Sequence, residues 1–199
     1  MSQLDDLRAR ASGCTLCPLA GGRTTVVFGE GDPHAALMVV GEGPGRDEDL
    51  QGRPFVGRSG QLLDRLLMEE AGLDRSQVYI ANVVKCRPPQ NRDPLPEEIA
   101  ACRPYLESQI ELVDPAVILT LGNFATRTLL GTADGITKLR GRVHPYPGSG
   151  SDRPVVVPTF HPAAALRGGG EVVARMRADI VRARQALEQA GHRPAVGRQ

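Results

Sequence analysis

The sequence has no tryptophan, and its four Phe and three Tyr make up only 4% of the 199 residues. It has only two lysines, and no apolar run approaches the ~18 residues that a membrane-spanning helix needs. The N-terminal segment is acidic and polar, which is not the pattern of a secretory signal. We therefore expect a cytoplasmic protein without membrane segments, in which each Phe near a candidate site is informative.

Charge is distributed unevenly along a chain whose overall net charge is only +1. From Arg140 to Gln199, ten arginines and four acidic residues give a net charge of +6, so the first 139 residues carry −5. A basic last third is typical of a surface that faces a polyanion. An arginine-rich, solvated helix would give the same pattern, and charge alone does not separate the two interpretations.

Short apolar runs alternate with segments of helical periodicity along the chain. The predicted strands are 36–41, 78–84, 116–121 and 154–160, and the predicted helices are 3–12, 59–71, 96–112 and 171–190. This alternation predicts a single α/β domain over residues 1–190, a three-layer α/β/α fold with a central four-stranded parallel sheet. The last residues, 191–199, are expected to form a disordered tail.

In such a sheet, ligands bind beyond the carboxyl ends of the strands, so the residues at those ends are the first candidates. Glu42 and Gly43 follow the first predicted strand in the motif GEGPG, Asn82 lies in the second, and His161 follows the fourth. Phe55 lies in a neighbouring Gly/Pro/Arg loop, where its ring could stack on a planar ligand. Glu42 could instead be a turn carboxylate, and Asn82 could be a buried amide that is paired within the protein. His161 could be a core histidine, and Phe55 could cap the end of the sheet. Together at one edge they indicate a ligand site.

Residues 52–59, GRPFVGRS, are a near-match to the phosphate-binding P-loop pattern, with Arg58 in the place of its lysine. The segment does not leave a strand directly. Pro54 and Phe55 stand where backbone amides should surround a phosphate. A P-loop-like nucleotide hydrolase is therefore the least favoured interpretation.

Four cysteines form one tight pair, Cys14 and Cys17, and one wide pair, Cys86 and Cys102. Zinc ribbons usually repeat the tight C-x2-C spacing in both halves. The wide second pair favours a 4Fe-4S cluster with a structural role. A zinc site and four unrelated buried thiols remain the alternatives.

Taken together, these motifs resemble the family 4, or iron–sulfur, uracil-DNA glycosylases. The resemblance covers most of residues 14–167. It rests on C-x2-C at 14–17, GEGPG at 41–45, GRPFVGRSGQLL at 52–63, NVVKCRPPQNR at 82–92, Cys102 and HPAAALR at 161–167.

The resemblance implies a monofunctional hydrolase that removes uracil from DNA and so begins base excision repair. The target base would be flipped out of the helix into a pocket. There Asn82 would read uracil N3–H and O4, Phe55 would stack on the ring, and His161 would donate to O2 as negative charge develops. Glu42 would stabilise the sugar cation or orient the attacking water.

Further roles follow from the same resemblance. Gly43 would bond the base through its backbone, and it stands where better-known relatives carry Asp or Asn. Glu48 would exclude thymine, and Leu166 and Arg167 would enter the base stack and hold the gap. The four cysteines would hold the 4Fe-4S cluster, and the expected partner of the monomer is uracil-containing DNA. A non-catalytic iron–sulfur or zinc DNA-binding protein of the same fold is the alternative.

Overall fold

The computed structural model describes residues 2–148 and 154–192. Four parallel strands form the centre of its sheet and are buried at nearly every position. Their almost continuous apolar runs are typical of strands that are covered on both faces. These strands are β2 (Leu37–Gly41), β3 (Tyr79–Asn82), β4 (Val117–Leu121) and β6 (Val155–Thr159).

Two strands of two residues each, β1 (Glu30–Gly31) and β5 (His144–Pro145), extend this centre at its edges. The strand order is β1-β3-β2-β4-β6-β5, and both edge strands pair antiparallel with their neighbours. The α/β fold with a parallel four-stranded centre is confirmed, but the whole sheet is six-stranded and mixed. The edge strands are too short to produce the periodicity from which strands are predicted.

Helices cover both faces of the sheet, as the three-layer prediction requires. The two sides follow from the two-residue period of a strand: Met38 and Val40 pack into one core, and Leu37 and Val39 into the other. The first core also contains α1 (Gln3–Ser12), α4 (Pro96–Val113) and α5 (Gly122–Leu130), and the second contains α3 (Arg58–Ala71) and α7 (Pro162–Gln189). Two short helices, α2 (Arg46–Gln51) and α6 (Ile136–Leu139), lie in the connections.

Helix α3 shows how sequence sets these boundaries. Leu62, Leu63, Leu66 and Leu67 recur at helical spacing and are buried against α7 and the sheet. Gly72 ends the helix in a left-handed conformation with φ 65°, which glycine adopts without strain.

Helix α7 begins at Pro162, nine residues before the predicted start at residue 171. His161 caps it and Pro162 occupies its first turn, a position that proline favours. The three glycines at 168–170 have low helix propensity, so the sequence pattern did not indicate this earlier start. Gly169 interrupts the helix with φ 72°. No helix in the described ranges is long and apolar enough to span a bilayer. Residues 193–199 of the predicted tail lie outside the described residues.

Candidate active site

A cleft of about 760 Å³ opens at the carboxyl ends of the parallel strands. Seven of the eight substrate- and DNA-site residues predicted from the sequence line it: Glu42, Gly43, Glu48, Phe55, Asn82, His161 and Arg167. The eighth, Leu166, is not part of this lining and is 43% exposed on the first turns of α7. The arrangement brings together side chains that are up to 125 residues apart in the sequence.

Asn82 is the last residue of β3 and is 1% exposed. Its backbone is fixed by pairing with Gly41 of β2 and by Lys85, whose Nζ donates to the Asn82 carbonyl oxygen at 2.7 Å. Its side-chain Oδ1 has no hydrogen-bond partner among the described residues. A buried acceptor without a partner is unfavourable by about 1–3 kcal/mol, so it is a natural place for a ligand donor.

The ring of Phe55 forms another wall of the cleft. Its centroid lies 5.8 Å from that of His161, with 34° between the ring planes. A Cβ at Gly41 would lie 2.4 Å from Phe55 Cζ and 2.5 Å from Asn82 Oδ1. Glycine at the end of β2 is therefore what allows the aromatic ring and the amide to approach the same point.

His161 is held in one orientation by the start of α7. Its Nδ1 accepts a hydrogen bond from the backbone N–H of Ala163 at 3.1 Å. Burial, and then the nearby positive charge of Arg167, lower the pKa of His161 to about 4. The imidazole is therefore neutral at physiological pH, and because Nδ1 is an acceptor, the proton is assigned to Nε2.

Glu42 differs from an ordinary surface carboxylate. Burial, and then the negative charge of Asp93, raise the pKa of Glu42 to about 7. Its backbone carbonyl accepts from the N–H of Val84 at 3.0 Å, which extends the pairing of β2 and β3 beyond their ends. A carboxyl group that titrates near neutral pH at the rim of a cleft can orient water or accept a proton.

Glu48 links two of the loops that line the cleft. Its carboxylate accepts from the backbone N–H groups of Gly45, Val56 and Gly57 at 3.1, 3.0 and 3.3 Å. Both carboxylate oxygens therefore bind the protein's own backbone. The role in excluding thymine stays a prediction, and bracing of the two loops is an additional role that the sequence did not indicate.

Four arginines line the cleft, and only one belongs to the basic last third of the chain. They are Arg46, Arg58, Arg92 and Arg167. Several other arginines of the last third form ion pairs within the protein: Arg140, Arg175, Arg177 and Arg184. Analysis of net charge therefore missed Arg46, Arg58 and Arg92, although each lies in or beside a cleft motif.

The segment that resembles a P-loop begins directly after α2, ends in the first turn of α3 and follows no strand. The N–H of Gly57, which a P-loop would offer to a phosphate, donates to Glu48. The geometry is therefore unlike that of a nucleotide-binding loop.

A second, smaller cavity is lined by all four cysteines, which come from the segment after α1, the loop after β3, and α4. The backbone N–H of Lys85 donates to Cys102 Sγ at 3.2 Å, and Arg23 Nη1 donates to Cys86 Sγ at 3.5 Å. Such donors suit thiolates that carry negative charge. Within residues 2–148 and 154–192, no three metal-ligating side chains are arranged around a single ion. Four thiols around one cavity, two of them accepting hydrogen bonds, fit a site for a metal cofactor.

A family model described as the uracil DNA glycosylase superfamily matches residues 28–188. The chain is also 47% identical over 184 residues to the type-4 uracil-DNA glycosylase of Thermotoga maritima, covering 92% of this chain and 93% of that protein. The chain belongs to the type-4 uracil-DNA glycosylases. The type-4 enzyme of Sulfurisphaera tokodaii is 46% identical over 170 residues, 83% of this chain and 77% of that protein.

A type-5 uracil-DNA glycosylase of Thermus thermophilus is more distant. It is 33% identical over 134 residues, which cover 60% of this chain and 59% of that protein. The family 4 resemblance drawn from the motifs is therefore confirmed.

Proposed function

We propose that this protein hydrolyses the N-glycosidic bond between uracil and deoxyribose in DNA and leaves an abasic site, the first step of base excision repair. The observation that carries the proposal is the buried Oδ1 of Asn82, which lies beside the ring of Phe55 and has no hydrogen-bond partner in the described part of the chain. The cleft has the space and the polar groups to receive a single flipped base.

Uracil is recognised by hydrogen bonding at one edge and stacking on one face. Asn82 Oδ1 accepts from uracil N3–H, and the amide nitrogen of the same side chain donates to O4. Cytosine presents the opposite donor and acceptor pattern and would leave both amide groups unpaired, at about 1–3 kcal/mol each. Phe55 stacks on the ring, and the backbone N–H of Gly43 contributes a further bond to the base.

Water attacks C1′ of the sugar while the bond from C1′ to uracil N1 breaks and its electron pair leaves with the base. The charge spreads from N1 to O2, where the neutral imidazole of His161 donates from Nε2. Glu42 orients the water and accepts its proton, or stabilises the positive charge on the sugar. The departing uracil anion takes a proton from solvent, and the proton of the attacking water returns to solvent, through Glu42 where that group accepts it, which completes the hydrolysis.

Arg167 and Leu166 occupy adjacent positions on α7 beside the cleft, one charged and one apolar. Leu166 enters the base stack in place of the flipped nucleotide, and Arg167 neutralises a neighbouring phosphate. Glu48 excludes the thymine methyl group from the cleft wall that it braces.

Cys14, Cys17, Cys86 and Cys102 hold a 4Fe-4S cluster. When bound, the cluster ties the N-terminal segment to the loop after β3 and to α4. We expect about four iron atoms per chain and a broad absorbance at about 400 nm. A colourless protein that contains one zinc ion would contradict the cluster.

We expect the protein to act as a monomer in the cytoplasm, where cysteine thiols stay reduced. Gel filtration tests the oligomeric state.

The decisive experiment measures free uracil released from an end-labelled oligonucleotide that contains one deoxyuridine. Matched oligonucleotides with deoxycytidine or thymidine at that position are the controls. Release of uracil alone, with an alkali-sensitive abasic site, supports the proposal. Tight binding of the uracil oligonucleotide without release would favour the non-catalytic DNA-binding alternative.

A further inference from the structure

The backbone of Phe55 has an unusual conformation. Its φ is 53°, in the left-handed region that bulky side chains rarely adopt. Phe55 is 6% exposed, and its ring lies in the cleft wall beside that of His161. Residues in such conformations persist only where the surroundings hold them, so contacts elsewhere in the protein must fix this one.

Glu48 accepts from the N–H of Val56 on one side of this peptide. The two donors to the carbonyls before and after Phe55 come from Arg75, which lies 20 residues further along the chain in a short 3-10 turn before β3. Its Nη1 donates to the Phe55 carbonyl oxygen at 3.2 Å, and its Nη2 donates to the Pro54 carbonyl oxygen. One guanidinium group therefore binds the carbonyls on both sides of the Phe55 N–Cα–C unit. The planar, forked shape of arginine allows this, and lysine cannot reproduce it.

Arg75 is itself held by two carboxylates. Its Nε donates to Glu30 Oε1 at 2.5 Å, and its Nη1 donates to Asp64 Oδ1 at 3.0 Å. Its side chain is 20% exposed, as is that of Glu30. The guanidinium group therefore has little freedom to leave the two carbonyls.

The first turns of α3 close the other side of the Phe55 peptide. A Cβ at Gly60 would lie 1.7 Å from the Phe55 carbonyl oxygen, so helix and loop are in direct contact there. This packing fixes where the carbonyl lies but supplies no donor to it. Arg75 supplies the donors.

We propose that Arg75 is a positioning residue, which holds Phe55 in its left-handed conformation and so keeps the aromatic ring against the flipped base. The inference rests on the proposed function because the stacking role of Phe55 belongs to it. Arg75 is not part of the cleft lining, so it acts through the Phe55 backbone. Without it, the Phe55 backbone relaxes toward negative φ and the ring leaves its place beside His161.

The test compares Arg75→Met and Arg75→Lys with Arg53→Met. Arg53 is the matched control because its Nε also pairs with Glu30, at 2.7 Å, but its side chain makes no hydrogen bond to the loop carbonyls. We expect Arg75→Met to lower kcat/KM for uracil release at least tenfold relative to the parent protein, and Arg53→Met to change it by less than threefold. The kcat/KM of Arg75→Lys should lie between those of Arg75→Met and the parent protein. Thermal unfolding of each variant, with iron content measured, checks that it folds.

A second measurement follows the ring itself and does not depend on uracil release. The chain has only four Phe, so fluorophenylalanine labelling gives four 19F signals, and Phe55→Leu assigns one of them. We expect the Phe55 signal to move in Arg75→Met and to stay in Arg53→Met. An unmoved Phe55 signal in a folded Arg75→Met protein overturns the inference. A moved signal with unchanged uracil release supports the positioning by Arg75 and contradicts the stacking role of Phe55.

The double variant gives the third measurement. If Arg75 acts through Phe55, adding Arg75→Met to Phe55→Leu should have little further effect. The kcat/KM of the double variant should then be less than twofold below that of Phe55→Leu alone. Full additivity of the two losses would show that Arg75 acts on the reaction by another route.

Discussion

The backbone N–H of Ala163 donates to Nδ1 of His161 at 3.1 Å, and this contact determines which nitrogen of the imidazole faces the cleft as a donor. The pKa of His161 is lowered to about 4, so the ring is neutral at physiological pH. A neutral donor can stabilise charge on uracil O2 without a prior protonation step.

We therefore predict that His161→Phe lowers kcat about 10²- to 10³-fold, the usual effect of removing one such donor. The shape of the pH profile above pH 5 should stay as in the parent protein. Single-turnover kinetics from pH 4 to 9 provide the measurement. A rise or fall of the single-turnover rate with a midpoint near pH 6.5, present in the parent protein and absent from His161→Phe, would contradict a neutral His161.

Glu42 predicts a different pH dependence, because its pKa is raised to about 7. If its carboxylate form is required, kcat rises with pH through about 7, and Glu42→Gln removes that limb. Asp93→Asn is the matched control, because Asp93 contributes to the raised pKa. In that variant the midpoint of the limb should move to lower pH, and an unmoved midpoint would contradict the assignment to Glu42.

The same group affects stability. A carboxyl with a raised native pKa binds its proton more tightly in the folded than in the unfolded protein. Its contribution is therefore complete below its ordinary pKa of 4.5 and is lost as the pH rises to about 7. Over that range, Tm should fall with pH more steeply in the parent protein than in Glu42→Gln.

The fold was largely predictable because buried parallel strands give continuous apolar runs. The runs ending at Gly41 and Leu121 match the observed strand ends, and a sheet of this kind brings its strand ends together. This is why Glu42, Asn82 and His161 were predicted to share one site. The start of α7 was missed because the glycines at 168–170 weaken the helical pattern.

Contacts between loops that are distant in the sequence could not be predicted from it. Glu48 binds the N–H groups of Val56 and Gly57, and Arg75 binds the carbonyl of Phe55, through tertiary packing alone. No periodicity or motif reports which backbone group a side chain will reach. The residues that line the cleft could be predicted, but those that hold them in place could not.

A buried ion pair ties α7 to the sheet beneath His161. Arg140 donates to both oxygens of Asp179 at 2.8 and 2.9 Å, and Thr159 at the end of β6 donates to the same carboxylate at 2.8 Å. We predict that Arg140→Met lowers the free energy of unfolding by about 3–5 kcal/mol, because it leaves a buried carboxylate without its partner.

The control is Arg175→Met, which removes an exposed pair on the same helix and should change stability by about 0–1 kcal/mol. Urea unfolding of the metal-loaded proteins provides the comparison. Equal losses in the two variants would show that burial does not strengthen the Arg140 pair.

Gly41→Ala tests whether the close approach at the end of β2 matters for function. Its Cβ would lie within 2.5 Å of both Phe55 and Asn82, so one of these two side chains must move. We predict at least a hundredfold loss of kcat/KM for uracil release. Gly22→Ala, at an open site with ordinary backbone angles, should leave kcat/KM within twofold. Normal uracil release by Gly41→Ala would contradict the joint role of the ring and the amide.

Asn82→Asp addresses recognition most directly, because it changes the donor and acceptor pattern and almost nothing of the shape. An ionised carboxylate at this position could not donate to uracil O4, whereas a protonated carboxyl could donate to cytosine N3 and accept from its amino group. We predict that uracil release falls about 10- to 100-fold, in line with one or more unpaired groups, and that release of cytosine becomes measurable. Because Asn82 is buried, iron content and Tm must match the parent protein before rates are compared. Uracil release that is unchanged in a folded, metal-loaded Asn82→Asp protein would contradict Asn82 as the residue that reads the base.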